Sequence, residues 1–333
     1  MANYPQLDDC SGVWKLKDVN DAVMGGYWRV GGTRALFGGG NQGDSNVIDF
    51  ITIVSTGDAA DFGDLTTGGE SAGAEYAGRF ASHTRAFFLI SASPSNAIDF
   101  VNINTAGNAA DFGDSIGGTF FRGGASNSTR GLFAGGDGSP DINVIDYITM
   151  DTLGNATDFG DLTVARRAHG NQPTSPTRAL FCGGQTPSQQ DVIDFVTIAT
   201  IGNAIDFGDL TASKGSASSC SSSTRGVFGL GYTSGVVAGA EFMTIASQGN
   251  AIDFGDLTQA RYGSAATSNS VRGVWGGGNT VPAQVDTIDF LNINNGGTGT
   301  DFGNLTGVRG NLGCGGNGHG GLNDGYQGYG ARH

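Results

Sequence analysis

The triplet Asp-Phe-Gly begins at residues 61, 111, 158, 206, 253 and 301 of this 333-residue chain, in steps of 50, 47, 48, 47 and 48. Each copy follows a run of the Ile-Asp-Phe type, from Ile48-Asp49-Phe50 to Ile288-Asp289-Phe290. Most continue into an acidic or amide residue and Leu-Thr, as in Asp64-Leu65-Thr66 and Asn304-Leu305-Thr306. A period near 48 over almost the whole length demands a repeat architecture. No unit of that kind buries its apolar faces alone, so neighbours must stack.

A second mark recurs in every unit. Thr33-Arg34 is followed by Ala35-Leu36-Phe37, and the same arginine returns at Arg85, Arg130, Arg178, Arg225 and Arg272, each before an apolar pair. Glycines usually follow, as in Gly38-Gly39-Gly40 and Gly276-Gly277-Gly278. Short β-rich runs separated by turns, without helical periodicity, predict strands. In Val47-Ile48-Asp49-Phe50-Ile51-Thr52-Ile53 both alternate sets of side chains are mainly apolar. That pattern predicts a sheet covered on both sides. Small sheets stacked radially meet this requirement and leave only short edges. The expected fold is therefore all-β, a six-bladed β-propeller of four-stranded blades.

The count of strands also predicts how the ring closes. The first unit opens at Arg34, already on its second strand, whereas residues 308–314 align with the segment that precedes Arg178. Those C-terminal residues should supply the missing innermost strand of the first blade and remove an open edge. Three regions follow: a leader at 1–32, the propeller at 33–314, and a Gly-rich tail at 315–333. The leader holds Trp14 and Trp28, two of the chain's three tryptophans. It is more apolar than a free tail, so it is expected to cover the propeller itself or to serve as a docking or oligomerisation segment.

The formal net charge is −14, and 17 of the 31 acidic residues sit at repeated positions. Acid spread around a ring disfavours nucleic acid, whose phosphates need basic patches. The N-terminal stretch has no apolar signal core, and no run approaches a membrane span. Cysteines 10, 182, 220 and 314 are far apart and lack Cys-x-x-Cys spacing. This pattern predicts folding in a reducing cytoplasm rather than a disulfide frame or zinc site.

Several motifs invite chemical readings, and most dissolve in the repeat. Asp-Phe-Gly in six copies, without a phosphate loop or His-Arg-Asp partner, is no kinase triplet. Asp61 with Asp64, and their equivalents, offer too few oxygens for calcium, so turn capping is the preferred reading. The four histidines (83, 169, 319 and 333) occupy unrelated repeat positions. No catalytic residue, metal or cofactor is expected. The recurring arginines (Arg34, Arg85, Arg130, Arg178, Arg225, Arg272) are expected to form structural ion pairs with the carboxylates of the Ile-Asp-Phe position. Those are Asp49, Asp99, Asp146, Asp194, Glu241 and Asp289. A buried carboxylate needs such a partner. An arginine ring that grips an anion is the competing reading. For partner binding, variety on loops held by a rigid frame is the guide. Aromatic and arginine anchors then single out Tyr76, Arg79 and Tyr232, with Trp14 and Trp28 as the leader's candidates.

The period and the glycine pair after the second strand resemble kelch repeats, which have about 50 residues per blade. Three phrases resemble repeat proteins encoded by tailed bacteriophages. They are Asn143-Val144-Ile145-Asp146-Tyr147-Ile148-Thr149, Gly154 to Thr163 with its Asp158-Phe159-Gly160 centre, and Ser222-Ser223-Thr224-Arg225-Gly226-Val227-Phe228. The leader Ser11-Gly12-Val13-Trp14-Lys15-Leu16 is similar to segments of phage tail-fibre and other virion proteins. The resemblance implies a non-enzymatic virion structural protein of a tail or fibre, assembled in the host cytoplasm. Its implied partners are other virion proteins, with a host surface receptor or glycan, and a second copy of the chain, as further contacts. The alternative is an intracellular kelch-like interaction scaffold. An enzyme working in the central channel is a third reading. It would need convergent His, Tyr, Cys or acidic residues on the inner strands, and none is evident.

Overall fold

In the computed structural model the described residues are 34–41, 45–67, 78–90, 96–116, 120–167 and 170–322. They form six small antiparallel sheets, arranged as a six-bladed β-propeller. In blade 1 the strands run from the axis outward as Gly313–Gly316, Arg34–Gly38, Val47–Thr52 and Ala60–Asp64. The C-terminal strand thus pairs with the first one, Phe37 lying opposite Cys314, and closes the ring as expected. Blade 3 runs Gly123–Ser126, Arg130–Gly136, Ile142–Thr149 and Thr157–Asp161, and blades 2, 5 and 6 repeat the order. Blade 4 departs from it. Its regular strands are Arg178–Cys182, Val192–Thr197 and Ile205–Asp209, and the innermost place is taken by residues around Pro173. A proline has no N–H for the ladder. The isolated Thr174–Ala179 bridge and the Leu180 N–H to Pro173 carbonyl bond (2.9 Å) tie that segment to the next strand, helped by the Cys182 N–H, which donates to Gln172 Oε1 (2.9 Å).

The core is six layers, one between each pair of blades. Along the second strand of blade 1, Ala35 and Phe37 pack against Val274 and Ile288 of blade 6. Leu36 packs the other way, against Ala86, Phe88 and Val101 of blade 2. Alternation puts successive side chains on opposite faces, and both faces here are interior. That is why the runs are apolar without a polar register.

The repeated triplet is a clasp between blades. Its phenylalanine fills the interblade layer: Phe62 is buried beside Phe50 in an edge-on contact of 5.9 Å. Its backbone accepts from the turn of the following blade. The Gly107 N–H donates to Phe62 O (2.9 Å) and the Ala109 N–H to Asp64 O (2.7 Å). The same two bonds recur at all six junctions, including Gly57 to Phe302 O and Ala59 to Asn304 O across the seam. The turn amide completes the clasp: Asn155 Oδ1 accepts from the Asp114 N–H at 3.1 Å. The first aspartate of the triplet is exposed and does not cap the turn, contrary to expectation. The glycine is obligatory. Gly160 has φ of 147°, and a Cβ there would sit 2.5 Å from the Gly202 carbonyl. Gly160→Ala should therefore lower the unfolding free energy by roughly 1–3 kcal/mol, the usual cost of a side chain in such backbone, and more if the carbonyl cannot move. A denaturant midpoint unchanged from the parent would contradict the clasp.

The axis carries no open channel through the described residues. Innermost strands bond to one another: Gly124 accepts from the Gln172 N–H (2.8 Å), and Asn171 O accepts from the Ser219 N–H (3.1 Å). The Asn171 amide donates across the axis to Cys314 O. Residues as small as those of Ser218–Ser221 and Gly313–Gly316 allow that approach. The short 3-10 turn His319–Gly321 then covers one end of the axis, and it is buried. The tail therefore does not begin at 315: residues 315–322 belong to the packed propeller.

Candidate functional site

The two ends of the ring differ. One end, the loop face, carries the connections between second and third strands and the crossovers between blades. The other, the turn face, carries the tight turns within blades.

Just beneath the loop face lies a belt of buried charge. Asp146 meets Arg122 (2.7 Å), Asp194 meets Arg166 (2.7 Å), Glu241 meets Lys214 (2.8 Å) and Asp289 meets Arg261 (2.8 Å). Asp49 meets Arg309. All ten side chains are almost wholly buried. Each carboxylate also accepts from the end of the preceding blade. The Thr306 N–H and hydroxyl serve Asp49, and the Thr163 pair serves Asp194. Burial pulls the Arg261 and Arg309 guanidiniums below their ordinary range, and the facing Asp289 and Asp49 offset this.

The expected pairing is thus corrected. The carboxylates are the ones anticipated, but their partners are not Arg34, Arg85, Arg130, Arg178, Arg225 and Arg272. Register explains why. Arg34 lies opposite Thr52, while Asp49 lies opposite Phe37. Three residues along a strand is about 10 Å, and an odd spacing points the two side chains to opposite faces of the sheet. The true partners do carry a sequence signal: Leu162-Thr163-Val164-Ala165-Arg166 recurs as Leu210 to Lys214, Leu257 to Arg261 and Leu305 to Arg309. The two remaining crossovers lack that basic residue. Blade 3 supplies Arg122 from beside its innermost strand instead. In blade 2 no basic side chain of the described residues pairs with Asp99, which Thr66 holds through its N–H and hydroxyl (both 2.8 Å). Burial raises the Asp99 pKa accordingly.

The Thr-Arg arginines instead staple blades together at the turn face. Arg34 Nη1 donates to Ile103 O (2.9 Å), Arg85 to Met150 O (2.9 Å), and Arg272 to Ile53 O across the seam (2.9 Å). Each guanidinium lies over an aromatic ring of its own blade. Arg130 stands 4.8 Å from the Tyr147 centroid, and Arg272 stands 4.2 Å from that of Phe290.

The partner-binding candidates separate. Tyr76, Trp14 and Trp28 lie outside the described residues. Arg79 is corrected: it is 1% exposed, in the interior over Phe88, and burial lowers its pKa to about 9. It occupies the place of Gly124 and Cys314 in other blades, and a Cβ on Gly313 would sit 1.6 Å from its Cδ. Tyr232 is at the loop face, 36% exposed and edge-on to Tyr262 at 5.9 Å. Neighbouring loops add Val281, 62% exposed with φ of 47°, and Arg167, which spans Asp137 (2.9 Å) and Asp141 (3.2 Å). A β-branched residue at positive φ is held there by its surroundings. These residues were not singled out in the sequence, because nothing local marks them.

At the axis His319 meets two serines. His319 Nε2 lies 3.3 Å from Ser221 Oγ and 3.2 Å from Gln172 O, and Nδ1 lies 3.4 Å from Ser268 Oγ. The Gln172 carbonyl only accepts, so Nε2 carries the proton. All these residues are buried, and the arrangement fastens the C-terminal turn rather than exposing a nucleophile. Burial lowers the His319 pKa from 6.5 to about 4. The unfolded chain then binds the extra proton first, so stability present above pH 6.5 is lost as pH falls toward 4. The shift corresponds to roughly 3 kcal/mol. His319→Gln should remove that part of the pH dependence; parallel curves for the two proteins between pH 7 and 4 would contradict it.

Among the described residues no group of three or more His, Cys, Asp or Glu side chains could hold a metal ion, and no helix is long and apolar enough to cross a membrane. No protein-family model and no curated protein matches the chain.

Proposed function

We propose that this chain is a non-enzymatic structural protein of a bacteriophage particle, tail or fibre associated, that holds protein partners on its loop face. The observation that carries the binding role is the contrast between the two ends of the ring. The turn face repeats the same bonds six times, as a frame must. The loop face is irregular and presents the Tyr232–Tyr262 pair, Val281 and the Arg167 cluster on rigid supports. Recognition needs such variety on a fixed scaffold, and aromatic residues are its usual anchors. The virion assignment is supported by the resemblance of the repeated phrases and of the leader around Trp14. A filled axis and buried polar side chains there support a role without catalysis. The implied contacts are other virion proteins and the host surface, with assembly in the host cytoplasm.

Mass spectrometry of purified particles tests this. The chain is expected among the virion proteins, and a Tyr232→Ala, Val281→Ser double variant is expected to fold normally yet enter particles several-fold less. Absence from particles, with retention of a cytoplasmic protein partner, would favour the kelch-like adaptor instead.

A further inference from the structure

Among the described residues, the turn face carries almost all of the free positive charge. Thirteen of the 17 basic residues are described. Five are sealed in the buried pairs, Arg79 is interior, and Arg167 is matched by two aspartates. The other six are the stapling arginines, and none of them meets a carboxylate. Each is partly exposed and uses Nη1 for the neighbouring carbonyl, one example being Arg225 to Ile293 O (3.0 Å) and Asn294 O (2.8 Å). That leaves Nε and Nη2 without an acceptor among the described residues. These two groups form the edge that grips an oxyanion bidentately. Stacking on the aromatic ring fixes the direction of that edge, so little side-chain entropy remains to be lost on binding.

We propose that the turn face binds an acidic polysaccharide through these six arginine edges. This is a second surface, opposite the loop face, and does not depend on the virion assignment. The surroundings select the polymer. The turns that precede the arginines hold exposed Thr84, Ser128, Thr129 and Thr224 and no carboxylate, a lining suited to sugar hydroxyls. Farther out, the exposed first aspartates of the triplets encircle the face. A nucleic acid, with its continuous line of phosphates, would have to cross that acidic rim. A glycan with sparse charges can place sulfate or carboxylate groups on the arginines and hydroxyls on the aspartates. Six equivalent weak sites suit a repeating ligand, because each further contact is intramolecular.

The test is binding of hyaluronan, whose carboxylates are sparse, to the full-length protein, since both ends of the described chain emerge on this face. Retention is expected at low ionic strength, with none for neutral dextran and release in about 0.5 M salt. Ser128→Asp, Ser223→Asp and Ser270→Asp together leave the staples intact and put three carboxylates beside the ring; they should weaken binding about tenfold or more. Ala212→Asp with Gln259→Glu, on the loop face, should change nothing. Arg130→Lys, Arg225→Lys and Arg272→Lys keep the charge and lose the fork, and should cost about threefold or more. Failure to bind hyaluronan, or equal loss from the loop-face variant, would overturn the proposal. So would tighter binding of polyphosphate, which would mark a phosphate-polymer site.

Discussion

Removing residues 307–333 should leave no cooperatively folded protein. The deletion takes away the innermost strand of blade 1, Gly313–Gly316, and with it four registered pairs to Ala35, Leu36, Phe37 and Gly38. It exposes the blade 1–blade 6 layer, where Leu312 and Cys314 pack against Phe37. It strips Arg309 from Asp49, leaving a buried carboxylate without its counter-charge. It also removes His319 from the axis. Together these losses exceed what a domain can bear, since total stability is about 5–15 kcal/mol. The open edge left on Arg34–Gly38 is a template for aggregation. The expected outcome is insoluble or molten material, checked by solubility and thermal unfolding. A truncated protein with the parent's melting temperature would mean that the ring does not need its C-terminal strand.

The second large effect belongs to the charge belt. Asp194→Ala leaves Arg166 buried with its carboxylate gone, and removing one member of such a pair typically costs about 3–5 kcal/mol. Asp151→Ala, at an exposed turn outside the repeated carboxylates, should stay within about 0.5 kcal/mol of the parent. Arg178→Ala distinguishes the new pairing from the one read from sequence. It removes a partly exposed staple to Ile245 O, not the partner of Asp194, and should cost much less than Arg166→Ala. Equal losses for Arg166→Ala and Arg178→Ala, by urea unfolding, would put the pairing back where the sequence suggested.

How much could be read without coordinates follows from the same residues. The six-fold period, the two apolar registers of Val47–Thr52 and the alignment of residues 308–314 sufficed for the blades and the closure. These are one-dimensional signals of a quasi-one-dimensional fold. Pairing across strands is different. Arg34 and Asp49 are prominent and nearby in sequence, yet register and pleat send them to opposite sides of the sheet. For four of the carboxylates the partner comes from the crossover, after a Leu-Thr whose N–H or hydroxyl binds the same carboxylate. The chain even records the coupling internally, since Glu241 in place of aspartate is met by Lys214 in place of arginine. Arg79 misled for a related reason. An arginine in a crossover reads as surface, and only the missing side chain at Gly313 reveals the room that admits it. Tyr232 is legible as an aromatic residue on an irregular loop, whereas Val281 gains meaning only from the backbone that holds it at positive φ.

The ring itself is the central claim, and native-state hydrogen exchange of residues 313–316 tests it most directly. In a closed propeller these amides sit in a sheet whose opening requires breaking the whole ring. Their exchange should match that of Ser218–Ser221, the corresponding strand of blade 5, near the global unfolding limit. Exchange of 313–316 at the rate of a frayed terminus, with Ser218–Ser221 still protected, would show an open ring and contradict the account.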